Sequence, residues 1–474
     1  MSSLSRILLV TSCTALVTAC AVGPNYHRPA AETGASFKEL GDWKPSEPAD
    51  TLDRGPWWQI FKDPVLEQLE QQIEVSNQTL KAAVDTYRQA QALVDQSKAG
   101  FWPTITGTAS HTRQQGSSLQ VQPAGQSTLS SVYSAGASAS WELDVWGQVR
   151  RTVESNASAA QSSAAAVANT RLLEQATLAS DYFQLRAQDE LKRILDQTVE
   201  DEQKSLKITQ NQYAVGVAAK ADVVTAQTQL LASQAQQINA GILRATLEHA
   251  IAVLVGQVPS AFSIAAEPTL PTEVPTVPVG LPSTLLERRP DVAEAERKMQ
   301  SENALIGVAV SAYFPSLTLD GSASYQSSTL SHLISASNRV WSIGPELAVS
   351  LFDGGLRRAE TAQARAAYEV SVDNYRQTVL TAFQQVEDDL ATLRILEQQA
   401  VVEDETVKMA KEAERLVLNQ YKAGTVPYSS VITAQNTTFS AEQTALTVLQ
   451  TRLTTSISMI EALGGGWSTQ QLPK

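Results

Sequence analysis

Two hydrophobic rhythms alternate along this chain. From Arg150 to Tyr213 the residues Val153, Ala157, Ala160, Ala164 and Val167 fall at spacings of four and three, and Leu178, Tyr182 and Leu185 repeat the rule. That spacing predicts a long helix packed through a narrow seam. At 1.5 Å per residue, roughly 60 residues make a rod on the order of 90 Å. After Gly216 a second helix is predicted to return, with Leu231, Ala235, Ile238, Ile242 and Ala245 at the same spacing, ending near Gly256. An earlier helix starts at Asp63-Pro64, with Leu66, Leu69, Ile73 and Leu80 on one face, and stops near Gly100. Between the helices the period changes to two. Tyr133, Ala135, Ala137, Ala139, Trp141, Leu143 and Val145 alternate with Ser134, Ser138, Ser140, Glu142 and Asp144. Ile105, Gly107 and Ala109 alternate likewise, so two strands with one apolar and one polar face are predicted, joined by a polar loop from Arg113 to Ser130.

The second half replays the first. A helix from about Asp291 to Ala312 leads to Tyr313-Phe314-Pro315, which answers Phe101-Trp102-Pro103. Strand patterns follow, with Leu317, Leu319, Gly321, Ala323 and Tyr325 on one face, and then Trp341, Ile343, Leu347, Val349 and Leu351. Gly354-Gly355-Leu356-Arg357-Arg358 matches Gly147-Gln148-Val149-Arg150-Arg151. A long helix with Val379, Phe383, Val386, Leu390 and Leu393 comes next, then a return helix with Leu446, Leu449, Leu453, Ile457 and Ile460. The two turns share one text: Asn211-Gln212-Tyr213-Ala214-Val215-Gly216, and Asn419-Gln420-Tyr421-Lys422-Ala423-Gly424. Each glycine suits the left-handed position that ends a helix. A repeat of this length predicts a duplicated supersecondary unit. The boundaries are a signal peptide over 1–19, an extended segment over 20–56, a first repeat over 57–256, a Pro-rich linker over 257–283, a second repeat over 284–464 and a tail over 465–474.

Composition sharpens this. Hydrophobic residues make up 43% but aromatics only 6%, so alanine carries much of the apolar count, which suits thin helical seams. The formal net charge of −13 argues against nucleic acid as a partner. Arg6 precedes an apolar run from Ile7 to Val17, too short for a spanning helix and typical of a secretory signal. It ends Leu16-Val17-Thr18-Ala19-Cys20, which resembles a bacterial lipobox; Cys20 would become an acylated N-terminal residue that anchors without spanning. Downstream no apolar run approaches the roughly 20 residues of a transmembrane helix, so any crossing must be made by strands.

Four strands cannot close a barrel, and lipid does not tolerate an open sheet edge. Three copies would supply twelve strands, an antiparallel barrel of permitted size. Its polar face, with Glu142, Asp144, Asp320 and Glu346, would line water, and the pooled helices would continue the wall as an α-helical tube. The expected fold class is mixed and mainly α: helical hairpins forming a trimeric α-barrel, plus four strands per chain. The alternative for the strands is the edge of a soluble β-sandwich.

Several motifs together resemble the lipidated TolC-like outer-membrane factors of the NodT type. They are Gly23-Pro24-Asn25-Tyr26-His27-Arg28-Pro29, Trp57-Trp58-Gln59-Ile60-Phe61-Lys62-Asp63-Pro64, Leu286-Glu287-Arg288-Arg289-Pro290-Asp291 with Ala295-Glu296, and the Tyr-x-x-Gly turns. The resemblance covers essentially the whole mature chain. It implies a homotrimeric channel in the outer membrane that serves as exit duct of a tripartite pump, with a periplasmic adaptor protein and an inner-membrane transporter of the RND type. The hairpin tips, with Tyr213, Gly216, Tyr421 and Gly424, would be the periplasmic end where the adaptor docks. Members of this family often carry acidic residues just after the tip glycines, as a gate. Asp222 matches that pattern, whereas Ser430 and Thr433 stand where many relatives have aspartate. Asp222 is read equally well as a first-turn acid of its own helix.

Other chemistry is sparse. His27, His111, His249 and His332 have no ligand spacing, so no metal or other cofactor is expected. No phosphate loop or nucleophile elbow is present, so no enzyme is expected. Arg288 and Arg289, before Pro290, read as packing or salt-bridge residues. The leading expectation is a passive efflux duct for small molecules. The alternatives are the exit channel of a type I protein-secretion system, or a periplasmic coiled-coil structural protein.

Overall fold

The computed structural model describes residues 21–30, 37–40, 56–115, 129–267, 270–271, 274–275, 288–468 and 471–472. The signal peptide, Cys20, most of the polar loop after Arg113 and much of the Pro-rich linker lie outside these residues.

The helices are α1 (Pro64–Ser76), α2 (Gln78–Lys98), α3 (Gln148–Ala214), α4 (Lys220–Leu254), α5 (Pro290–Ser311), α6 (Leu356–Lys422) and α7 (Tyr428–Ala462). The strands are β1 (Thr104–Gln115), β2 (Leu129–Glu142), β3 (Ser316–Ser327) and β4 (Arg339–Ala348). The order of a helix, two strands, a long helix and a return helix occurs twice. The matched helices have equal lengths, 67 residues for α3 and α6 and 35 for α4 and α7. No helix among the described residues is long and apolar enough to cross a membrane.

The first helix of the sequence reading is in fact two. Asn77 breaks it between α1 and α2, with extended backbone at ψ 125. Its side-chain oxygen accepts from Leu80 N at 2.8 Å, while its amide donates to Leu254 O and Glu174 Oε2. A buried cap satisfied by two distant groups offsets the lost helical bond.

The chain divides into two compact units. One comprises residues 1–30, 87–163 and 295–375; the other comprises 31–86, 164–294 and 376–474. The first holds a single antiparallel sheet in the order β1-β2-β3-β4. Register sorts the side chains cleanly. Thr318 lies opposite Glu142 and Glu346, and Asp320 opposite Ser140 and Gly344. With a period of two, Thr104, Thr106, Thr108, Ser138, Ser140, Glu142, Thr318, Asp320, Ser322, Ser342 and Glu346 share one face. Ile105, Ala139, Trp141, Leu319, Ala323, Trp341 and Ile343 share the other. Both strands β2 and β4 stop earlier than their alternation suggested, at Glu142 and Ala348.

The second unit carries the main core. Trp57, Trp58 and Phe61 pack with Leu66 and Ile73 of α1, Tyr182 and Phe183 of α3, Ile251 of α4, Leu390 of α6 and Leu453 of α7. Arg289 locks the entry to α5: it forks onto Asp291 at 2.7 and 3.0 Å and donates to Ala462 O at the end of α7. This is the structural role its place before Pro290 suggested.

Candidate functional site

The two tips are built alike. At the first, Gly216 has φ 77, its N–H reaches Tyr213 O, and Val217 N reaches Gln212 O at 2.8 Å. At the second, Gly424 has φ 74, its N–H reaches Tyr421 O, and Thr425 N reaches Gln420 O. Each is a Schellman close, in which a left-handed residue returns two amide groups to the last carbonyls of the helix. Open space surrounds both glycines, so backbone conformation rather than crowding demands them.

The tyrosines of the two turns differ. Tyr213 is 46% exposed and Tyr421 only 4%. The Tyr421 ring lies 5.3 Å from that of Tyr428, beside Ala226 and Val431 in a small core. Its hydroxyl donates to Thr209 on α3. Tyr421 is therefore a packing residue that ties the second hairpin to the first. Tyr213, with exposed Val215 and Val217, forms the outward surface of the first tip.

The proposed aperture residues each have a local partner. The Asp222 carboxylate accepts from Ala219 N at 3.2 Å, closing the first turn of α4. Thr433 donates its hydroxyl to Ser429 O one turn back. Ser430 is half-buried, with its N–H on Pro427 O.

Behind the tips runs a polar seam, buried at Glu202, Ser205, Ser233 and Gln435, that sequence reasoning missed. Glu202 of α3 accepts from Gln229 and Ser233 of α4 at 3.0 and 2.9 Å. Gln229 also donates to Asn436 of α7, and Gln435 of α7 donates to Ser205 of α3. Lys411 of α6 pairs with Glu442 of α7 at 2.6 Å. Burial pushes the Glu202 carboxyl up, against the pull of its two donors, and the charge of Glu414 adds to the rise. Burial raises Glu414 as well. The signal was present: Leu195, Val199, Glu202, Leu206 and Thr209 continue the four-three spacing, so Glu202 stands where an apolar residue is expected.

In the sheet, Glu142, Asp320 and Glu346 lie on the polar face as expected, with Glu142 and Glu346 exposed. Asp144 does not join them, because it lies beyond the end of β2. Its carboxylate accepts from Val149 N, Arg150 N and Arg150 Nε at 2.9 to 3.0 Å and so starts α3. Leaving a capping carboxylate on the strand would orphan those amides.

A second feature unseen in the sequence is a strap. Residues 21–29 pass along the same unit without forming helix or strand. Val22 N donates to Trp146 O. Buried Arg151 donates to Val22 O at 3.2 Å, to Gly23 O and to Asn25 Oδ1 at 2.9 Å, and pairs with Glu154. Asn303 holds Pro24 O, and Arg28 reaches the Tyr375 hydroxyl at 3.0 Å. A side chain at Gly23 would run into the backbone of Gly307, so the strap needs glycine there.

The profile described as outer membrane efflux protein matches residues 69–257 and 281–465. The chain belongs to the outer membrane efflux protein family. It is 32% identical over 480 residues to the probable efflux pump outer membrane protein TtgC of Pseudomonas putida, covering 98% of this chain and 97% of that one. It is 30% identical over 479 residues to the pyoverdine export outer membrane protein OpmQ of Pseudomonas aeruginosa, covering 99% and 98%. Among solved structures the outer-membrane channel OprN superposes with TM-score 0.88 at 28% identity, over 94% of this chain and 100% of that one. As an outer membrane efflux protein the chain is a channel of the outer membrane.

Proposed function

We propose that this chain is the outer-membrane exit duct of a tripartite efflux pump, assembled from three copies and passing small toxic molecules outward without doing chemistry on them. The observation that carries the reading is the sheet: among the described residues four strands, one face polar and one apolar, with β1 and β4 each unpaired on one edge. In lipid such edges must be paired, and three copies supply a twelve-stranded barrel whose apolar face meets lipid. Glu142, Asp320 and Glu346 then face the water of the lumen. The duplicated hairpins form the periplasmic tube, with Tyr213, Gly216 and Gly424 at the end offered to a periplasmic adaptor, which links the duct to an RND-type transporter of the inner membrane. Energy comes from that transporter. Acylation at Cys20 adds a lipid anchor beside the barrel. Asp222, with Ser430 and Thr433, lines the entrance.

Planar-bilayer recording with light scattering in detergent tests the reading. Trimers that give stepwise conductance are expected. A monomer, or a trimer that never conducts, would overturn it. Asp222→Ala tests the entrance: conductance that changes, or loses its response to divalent cations, supports a gate, and no change in either removes it.

A further inference from the structure

Within the chain, the end of β2 is joined to the start of β3 by an aromatic stack. The Trp146 ring lies 4.7 Å from Phe314 at an interplanar angle of 23°, and its indole N–H donates to Pro315 O at 2.7 Å. The same two positions recur in the other halves of the repeat. Trp102 precedes Pro103 and β1 as Phe314 precedes Pro315 and β3. Phe352 lies four residues past the end of β4, as Trp146 lies four residues past the end of β2.

These second aromatics are bare. Trp102 is 74% exposed, Phe352 90%, and Leu351 beside it 91%. They sit at the start of β1 and just past the end of β4, the two strands whose outer edges have no partner among the described residues. In a ring of copies β4 of one chain lies antiparallel to β1 of the next, as β2 lies to β3 within the chain. The ends that meet are then the Phe352 end and the Trp102 end.

We propose that Phe352 of one copy stacks on Trp102 of the adjacent copy, so that each seam between subunits repeats the Trp146–Phe314 stack found inside the chain. The proposal rests on the reading of three copies closing one barrel. A lipid-facing belt would also expose aromatic rings near a membrane surface. It would not place one at each free strand end in the positions of an existing stack.

The full-length chain carrying Trp102→Cys and Phe352→Cys, treated in membranes with a short bifunctional thiol reagent, is expected to run as covalent dimers and trimers, with neither single variant doing so. A trimer without cross-links between chains would overturn the stack and leave the ring intact. A monomer by light scattering would overturn both. Because cysteines at both sites remove the contact itself, a second measurement uses alanine. Trp102→Ala and Phe352→Ala are each expected to speed dissociation of the trimer in SDS about two- to tenfold, a range set by the usual worth of an aromatic pair. The double variant is expected to go no faster than the faster single one. Multiplying effects, or no effect from either, would sink the proposal.

Discussion

The Tyr421 hydroxyl donates to Thr209 Oγ1 at 2.9 Å, a bond between the second hairpin and the first. Thr209 spends its own proton on Ser205 O and so acts as acceptor toward the tyrosine. Tyr421→Phe should therefore cost about 1 kcal/mol at the tip. Tyr213→Phe, at an exposed ring, should cost nothing measurable. Hydrogen exchange across the ends of α3 and α6 reads the difference. Equal protection in the two variants would show that the buried bond contributes no stability.

The seam behind the tips predicts a pH dependence. Burial holds the Glu202 and Glu414 carboxyls above their ordinary range, so the packed tip binds protons more readily than a loosened one. Below the ordinary carboxylate range both states are protonated and burial carries no penalty. As pH rises from there through the raised values, the packed tip loses stability. Exchange of the tip amides, corrected for intrinsic rate, should therefore speed up from mildly acid to neutral pH. Glu202→Gln keeps an acceptor for Gln229 and Ser233 and removes one of the two titrating groups, so its profile should be flatter. An unchanged profile would assign the effect elsewhere.

Arg151 donates three of the strap's hydrogen bonds. Hydrogen bonds to a charged group contribute about 1.5–3 kcal/mol each at most. Arg151→Ala should release residues 21–29 to rapid exchange and to proteolysis while the sheet stays protected. A strap as protected as in the parent chain would mean that Val22 N, Asn303 and Arg28 suffice.

Glu142 and Asp144 are two residues apart and should behave differently. Asp144→Ala strips the cap and ion partner from α3 and should lower thermal stability by about 1–2 kcal/mol. Glu142→Gln, on the polar face, should leave stability alone and weaken cation preference in bilayer recordings. The opposite pattern would return Asp144 to the water-lined face.

Much of the fold was legible because it is periodic. Alternation at Tyr133 to Trp141 gave the strand faces, and four-three spacing gave four long helices with their ends nearly in place. What was illegible depends on partners far along the chain. Asn77 breaks a helix because Leu254 O and Glu174 await its amide. Asp144 continues the alternation yet serves α3, since three donors lie beyond the strand. Tyr213 and Tyr421 occupy the same place in matching turns, and only α3 and α7 decide which is buried. The strap has no period at all, and its partners Arg151 and Asn303 come from helices that begin much later.

The unequal tyrosines bear on symmetry. Six turns of identical sequence pattern would suggest an aperture that dilates evenly. One turn in each copy is instead packed against its neighbouring helix through buried Tyr421, and the other carries the exposed Tyr213 in its place. In a ring of three copies stiff and compliant turns would alternate around the rim. Its softest deformation would then be three-lobed, and the ring would yield first at the Gly216 turns.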